Sequence, residues 1–262
     1  MSSFKDCGLA FRFSAIDKLP EPPSPSMTKG TLVHRALQLL FWEEDAGHRT
    51  IDAALQKLQR AHQEMVDSND PDLAAFDVLD DDGKAEMLAD ADQLVRRYFD
   101  LEDPNAVRVV GTELQLSVHV GSLLLRGIID RLELDDDGEL VVTDYKTGRA
   151  PSDRYERSRM GGIHFYAFLV ERVLGRRPAR IQLLHLQEPV AISTVPSDQS
   201  IRALEGRTKA IWTAVERACA DEDFRPRPGR LCDFCSFKAY CPAWGGSLDD
   251  VPSGQPQLAA AG

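Results

Sequence analysis

The sequence predicts an α/β (α+β) fold, a mixed central sheet flanked by helices. Three strand-like segments succeed one another over residues 107–146. Helical stripes stand on both sides of them, and a further strand run follows the second helical stretch. The order helix, three antiparallel strands, helix, strand is that of a mixed sheet. No 20–50-residue period recurs, which excludes a solenoid.

A short N-terminal segment containing Cys7 leads into Pro20-Glu21-Pro22-Pro23-Ser24-Pro25, a stiff linker that cannot be helix interior. Thr28 to Thr31 supplies a helix start, and Leu32, Val33, Ala36, Leu37, Leu40 and Phe41 make the stripe of a helix reaching Glu44. Helical patterns at about 51–67 and 84–101 flank an acidic loop through Asp70 and Asp80-Asp81-Asp82-Gly83. Residues of about 45–105 are therefore expected to form an acidic helical insertion beside the sheet. Val107–Val120 alternates Leu114, Leu116, Val118 and Val120 against Glu113, Gln115, Ser117 and His119. Leu123–Leu134 and Glu139–Lys146 are apolar runs joined by Asp135-Asp136-Asp137-Gly138, a hairpin signal. A helix near 158–175, a strand near 180–187 and a helix near 198–220 follow. Residues 1–245 read as a single domain, and the Gly/Ser/Pro/Ala-rich 246–262 as a disordered tail.

Composition narrows the function classes. No stretch approaches the roughly 18 apolar residues of a membrane helix, and charges interrupt the first twenty residues as in no signal peptide. We therefore expect a cytoplasmic protein with no membrane partner, whose five cysteines favour metal over disulfides. The net charge of −11 is concentrated rather than spread. Residues 43–103 carry 18 acidic and 6 basic side chains, whereas residues 149–180 carry eight arginines against three acids. Local potential steers a polyanion, so the run containing Arg149, Arg154, Arg157 and Arg159 remains a candidate nucleic-acid surface beside the plainer reading of a solvated face.

The hairpin carries the chemistry. A three-residue loop at Asp136-Asp137-Gly138, with glycine in the left-handed position, pairs Asp135 with Glu139. The same register sets Asp130 opposite Asp144, with Ile128, Val142 and Leu140 making the face apolar. Like charges directly opposite are destabilising, and a divalent cation offsets them naturally. Lys146 lies two residues beyond Asp144 and shares its face. His34 sits one turn into the first helix, Glu113 on the polar face of the first strand, and Tyr166 on the helix after the lysine. Taken singly, each has a plain structural reading: a helical histidine, a solvated edge, a core aromatic.

Taken in order, these residues carry a resemblance. Gly30–Leu37, Glu113, Gly127-Ile128-Ile129-Asp130-Arg131 and Asp144-Tyr145-Lys146-Thr147-Gly148 resemble the RecB-type PD-(D/E)XK nucleases over about residues 2–245. That family has a GxxxH helix, a strand glutamate, a GxxD strand and a D-Y-K-T-G strand. The resemblance implies a restriction-endonuclease-like core and a Mg²⁺- or Mn²⁺-dependent deoxyribonuclease. His34, Asp130, Asp144 and the Tyr145 carbonyl resemble metal ligands, Lys146 the residue that orients the attacking water, and Glu113 an acid near the metal. The next helix keeps Tyr166 for the substrate strand but has Gly162 where the family glutamine stands. Oxygen ligands with one histidine suit Mg²⁺ or Mn²⁺.

Cys232-x2-Cys235-x5-Cys241 is a compact triad whose spacing fits zinc or iron–sulfur. Cys219, on a helical stretch with Ala214, Val215 and Ala218, reads as a small buried thiol. Cys7 precedes Phe11-Arg12-Phe13, which is similar to the start of AddB and CRISPR-associated RecB-type nucleases, although Gly8 stands where they have proline. There one N-terminal cysteine joins three C-terminal ones around a 4Fe-4S cluster, so the resemblance implies an iron–sulfur-stapled C-terminus at 225–245. The expected function is a DNA exonuclease acting on single strands or duplex ends in repair or recombination. Any helicase or repair partner would be separate, since no G-x-x-x-x-G-K-[ST] string occurs. The alternatives are a non-catalytic DNA-binding subunit of a repair complex and a zinc-binding scaffold.

Overall fold

The structure, a computed structural model, describes residues 2–22, 24–150 and 153–252, with the side chains of residues 2, 77 and 153–162 outside that description. In chain order it contains α1 (Ser2–Asp6), α2 (Gly8–Phe11), α3 (Pro25–Glu43), α4 (Ile51–Ser68), α5 (Ala74–Asp77) and α6 (Asp81–Tyr98). Then come β1 (Arg108–Val120), β2 (Leu123–Leu134), β3 (Leu140–Lys146), α7 (Asp153–Leu174), β4 (Arg180–His185), β5 (Val190–Thr194) and α8 (Asp198–Ala220). The chain divides into two compact units, one of residues 23–204 and one of 1–22 with 205–262. Among the described residues no helix is long and apolar enough to cross a membrane.

The larger unit is built on a five-stranded mixed sheet in the order β1-β2-β3-β4-β5. β1, β2 and β3 form an antiparallel meander, β3 and β4 pair in parallel through the α7 crossover, and β5 returns antiparallel along β4. The hairpin register is the expected one. Gly138 takes φ +76°, its N–H donates to Asp135 O at 3.0 Å, and Asp135 N donates to Glu139 O at 2.9 Å. β5 was not expected; Val190-Ala191-Ile192-Ser193-Thr194 is a short edge strand with too few buried positions to set up a clear alternation.

α3 begins one turn earlier than expected. Ser24 caps it by accepting the Met27 N–H at 3.3 Å, and Pro25 occupies the first helical position, where a missing N–H costs nothing. α6 also starts early, because Asp80 accepts the Gly83 N–H at 2.9 Å and Asp81 and Asp82 complement the helix dipole. The run Asp80–Gly83, expected as loop, is thus a helix start.

The acidic block packs against the sheet. Leu58, Ala61 and Met65 of α4 and Ala91, Leu94 and Tyr98 of α6 share one core cluster with Leu37 and Leu40 of α3 and with Tyr145 and Leu184 of the sheet. Its acids project from helices whose other faces are apolar, a pattern that net charge along the sequence conceals.

In the smaller unit Leu9, Phe13, Leu19 and Phe237 are buried together, with Cys7, Cys235, Cys241 and Val251 packed against them. The Phe13 ring lies 5.5 Å from Phe237 and 6.2 Å from Tyr240. Hydrogen bonds join its distant segments, among them Leu9 N to Arg225 O at 3.3 Å and Arg227 Nη1 to Lys5 O at 2.9 Å. Within the expected tail, Leu248–Asp250 form a 3-10 turn capped by Ser247. Residues 253–262 lie outside the described residues.

Candidate active site

The site of the larger unit is assembled from α3, β1, β2, β3 and α7. α3 supplies His34, whose Nδ1 lies 3.4 Å from Asp130 Oδ2. Gly30, one turn earlier on the same face, lies close to the end of β3; a Cβ there would stand 3.3 Å from Thr147 Oγ1. β2 supplies Asp130, whose Oδ2 also accepts the Tyr145 backbone N–H at 2.7 Å.

β1 supplies Glu113 through a local irregularity. Its register to β2 shifts between Val109 and Gly111, and Glu113 adopts φ +48°. A non-glycine residue in the left-handed region costs of order 1–3 kcal/mol and persists where the surroundings impose it, often at functional sites. The flanking pairs Thr112↔Arg131 and Leu114↔Ile129 set Glu113 opposite Asp130. One ligand atom each from His34, Glu113 and Asp130 lies within 4.8 Å of the others, a half-buried nitrogen–oxygen set open to a cleft also lined by Gly30, Thr31, Arg35 and Gln38. Such a donor set fits one divalent cation.

Asp144 stands alongside. The β2–β3 ladder ends at Arg131↔Thr143, and the same register places Asp144 opposite Asp130. The Lys146 ammonium contacts Asp144 Oδ2, with Lys146 43% exposed and Asp144 3%. The Tyr166 hydroxyl of α7 hydrogen-bonds the same carboxyl group. α7 comes close enough only because residue 127 is glycine; a Cβ there would stand 2.6 Å from Leu169 and 2.9 Å from Phe165.

The electrostatics call for a cation. Burial, reinforced by the neighbouring Asp130 charge, pushes the Asp144 carboxyl above its ordinary range although Lys146 and Tyr166 oppose it. Burial and Asp130 do the same to Glu113. For His34 burial is the largest influence and pushes its pKa down, yet the hydrogen bond to Asp130 and the charges of Asp130, Asp144 and Glu113 together raise it. Three carboxylates and an imidazole thus share a space that holds negative charge poorly.

Several placements differ from expectation. The tightest ligand group contains Glu113, while Asp144 is engaged by Lys146 and Tyr166. The apolar surround is incomplete, since Val142 and Leu140 are buried but Ile128 is 47% exposed. Tyr145 turns its ring away from solvent, edge-on to His34 at 5.9 Å, while its hydroxyl accepts from Arg131 Nη1 at 2.9 Å. Arg149 is exposed, whereas the side chains of Arg154, Arg157 and Arg159, and Gly162, lie outside the described residues. Arg131 and Glu102, which the sequence did not single out, form a charge pair behind the site at 2.5 and 3.0 Å, with the arginine fully buried. Arg131 carried a signal, a charge inside the apolar run Ile128–Leu132 on the face opposite Asp130; Glu102 carried none.

In the smaller unit Cys7, Cys232, Cys235 and Cys241 line one apolar pocket with Leu9, Ala10, Phe13, Phe237 and Trp244. Backbone N–H groups point at three of the sulfurs: Arg227 N to Cys7 Sγ at 3.4 Å, Gly229 N to Cys232 Sγ at 3.3 Å, and Phe237 to Cys235. Burial, with the other three cysteines adding to it, pushes the Cys235 thiol up. Cys219 is not among the lining residues and is exposed on α8, not the buried thiol expected, because its helical position faces outward between buried Val215 and Ala218 and the helix end.

Comparisons with known proteins bear on the family and the fold. The Gene 69 protein of Mycobacterium phage D29 is 23% identical over 263 residues, covering 93% of this chain and 95% of its own. The crystal structure of a candidate exonuclease from Eubacterium rectale superposes with a TM-score of 0.55 at 10% identity, covering 87% of this chain and 80% of that one. At that identity the likeness shows the fold. The sequence pattern of the PD-(D/E)XK nuclease superfamily matches residues 1–242, nearly the whole chain including both units' site residues, and the protein belongs to that superfamily.

Proposed function

We propose that this nuclease is a Mg²⁺- or Mn²⁺-dependent deoxyribonuclease, an exonuclease acting on DNA ends or single strands in repair or recombination. The observation that carries the reading is the convergence of His34, Glu113 and Asp130 beside the Asp144–Lys146 pair. When bound, the cation supplies a Lewis acid that activates water and offsets charge on the phosphate. His34, Glu113 and Asp130 hold it, with Asp144 and the Tyr145 carbonyl at its border. Lys146, anchored at Asp144 yet partly exposed, orients the attacking water and faces the phosphate. Tyr166, hydrogen-bonded to Asp144, lies beside the substrate strand. Arg149, Arg154, Arg157 and Arg159 contact the DNA backbone.

The four pocket cysteines hold a 4Fe-4S cluster of structural role. Their apolar surround and the N–H groups aimed at sulfur fit it, because hydrogen bonds to thiolate sulfur stabilise such clusters. A labelled linear strand and a circular single strand, each incubated with Mg²⁺ or Mn²⁺, test the proposal. Release of short products from the linear DNA alone, lost in Lys146→Ala, is expected. Equal cutting of both would make the enzyme an endonuclease, and cutting by Lys146→Ala at the wild-type rate would remove the assigned chemistry.

A further inference from the structure

Behind the metal site lies a buried charge network that the proposed reaction does not use. Arg131 is fully buried, and its guanidinium contacts two carboxylates, Glu102 in a forked pair and Glu133 through Nε. Its Nη1 also donates to Tyr145 Oη at 2.9 Å and Tyr98 Oη at 3.2 Å, and Nη2 to Thr143 Oγ1 at 3.3 Å. The Tyr98 hydroxyl donates to Glu102 at 2.6 Å. A buried arginine needs this many partners merely to offset its desolvation, so stability alone is a weak reason for it.

Its position suggests another role. Arg131 directly follows Asp130, and Tyr145 directly follows Asp144. The backbone ladder between β2 and β3 stops at Arg131↔Thr143, just before the two acids. Beyond that point the Arg131–Tyr145 bond is one lateral tie between the strands. Tyr145 in turn donates its backbone N–H to Asp130 and sets its ring edge against the His34 imidazole, nearly perpendicular at 89°. We infer that Glu102, Arg131 and Tyr145 form a positioning relay from the acidic helical block to the metal site, fixing Asp130 and His34 in ligand geometry through the Tyr145 side chain. The acidic block is thereby part of the catalytic apparatus although it bears no ligand.

This inference rests on the metal-site reading, and the test separates the two. Mn²⁺ binding to the full chain, cluster intact, is titrated by the loss of the free-ion electron paramagnetic resonance signal. Tyr145→Phe deletes only the hydroxyl and keeps the backbone, and Glu102→Gln keeps the shape while removing the charge that holds Arg131. Each should weaken Mn²⁺ affinity about tenfold, the lower end of what loss of an outer partner of a metal ligand costs. Leu58→Ala, which opens a cavity elsewhere in the same core, should lower the melting temperature while leaving Mn²⁺ affinity at the wild-type value. Wild-type affinity in Tyr145→Phe and Glu102→Gln would overturn the relay and leave the metal site standing. Wild-type affinity in Asp130→Asn would overturn both.

Discussion

Replacing Asp144 by asparagine isolates the electrostatic strain of the metal-free site. The native carboxyl is 3% exposed and held above its ordinary pKa by burial and by Asp130. The asparagine keeps nearly the same shape and still offers Tyr166 an acceptor, but removes one of the opposed charges. It also removes the partner of Lys146; that ammonium is 43% exposed, so solvent screens the pair and the loss is at most about 1 kcal/mol. In chelator the variant should therefore melt at or above wild type. A cation that binds only the folded state stabilises it by about 1.4 kcal/mol at ten times its dissociation constant. For a chain of this size that raises the melting temperature by roughly 3 °C. Wild type should show this rise with Mn²⁺, and Asp144→Asn much less of it. The assay is a pair of thermal melts with chelator and with Mn²⁺. Equal responses in the two proteins would show that Asp144 takes no part in holding the ion.

Other outcomes follow from the same geometry. Lys146→Ala should lose cleavage by a factor of at least about 100, the usual worth of one positioned catalytic group, yet bind DNA nearly as wild type; filter binding beside a cleavage assay checks this. Protein purified without oxygen should be brown with about four irons per chain, and Cys7→Ala, Cys232→Ala, Cys235→Ala and Cys241→Ala should each lose the colour while Cys219→Ala keeps it. One zinc and no iron would contradict the cluster. Neutralising Arg154, Arg157 and Arg159 together should weaken binding to all sequences alike and flatten its salt dependence by about 0.7–0.9 for each phosphate no longer neutralised; an unchanged slope would assign that run to plain solvation. In chelator, raised folded pKa values at Asp144, Glu113 and His34 mean the folded state holds these protons more tightly than the unfolded state. Their stabilisation is full below the unfolded values and is lost as pH rises through the folded ones. For His34 that loss begins above about 6.5. Urea unfolding at pH 6 and pH 8 should thus show a smaller decline for His34→Gln than for wild type, and identical declines would refute the raised imidazole.

How much of this was legible depends on the range of the interaction. Asp130 facing Asp144, and Lys146 beside it, follow from a three-residue turn and a period of two, so local sequence specifies them. His34 and Tyr166 are reached only through the order of motifs, because the spacing of one helix cannot tell which strand it will cover; Gly127 eases the approach of α7 and looks in the sequence like an ordinary glycine. Alternation assigns Glu113 to the polar face, but no alternation rule anticipates its left-handed backbone. The acidic block reads as an insertion because charge summed along the chain says nothing of which helix face carries it. Folded, its acids form helix caps, surface faces and the inward-facing Glu102, 29 residues before its partner Arg131.

The most direct test of the account is to locate the ion. Crystals grown with Mn²⁺ and measured at its absorption edge should show one anomalous peak among His34, Glu113 and Asp130, within about 2.5 Å of their ligand atoms. The same crystals of Asp130→Asn should show none. A peak elsewhere in the larger unit, with none among His34, Glu113 and Asp130, would contradict the account.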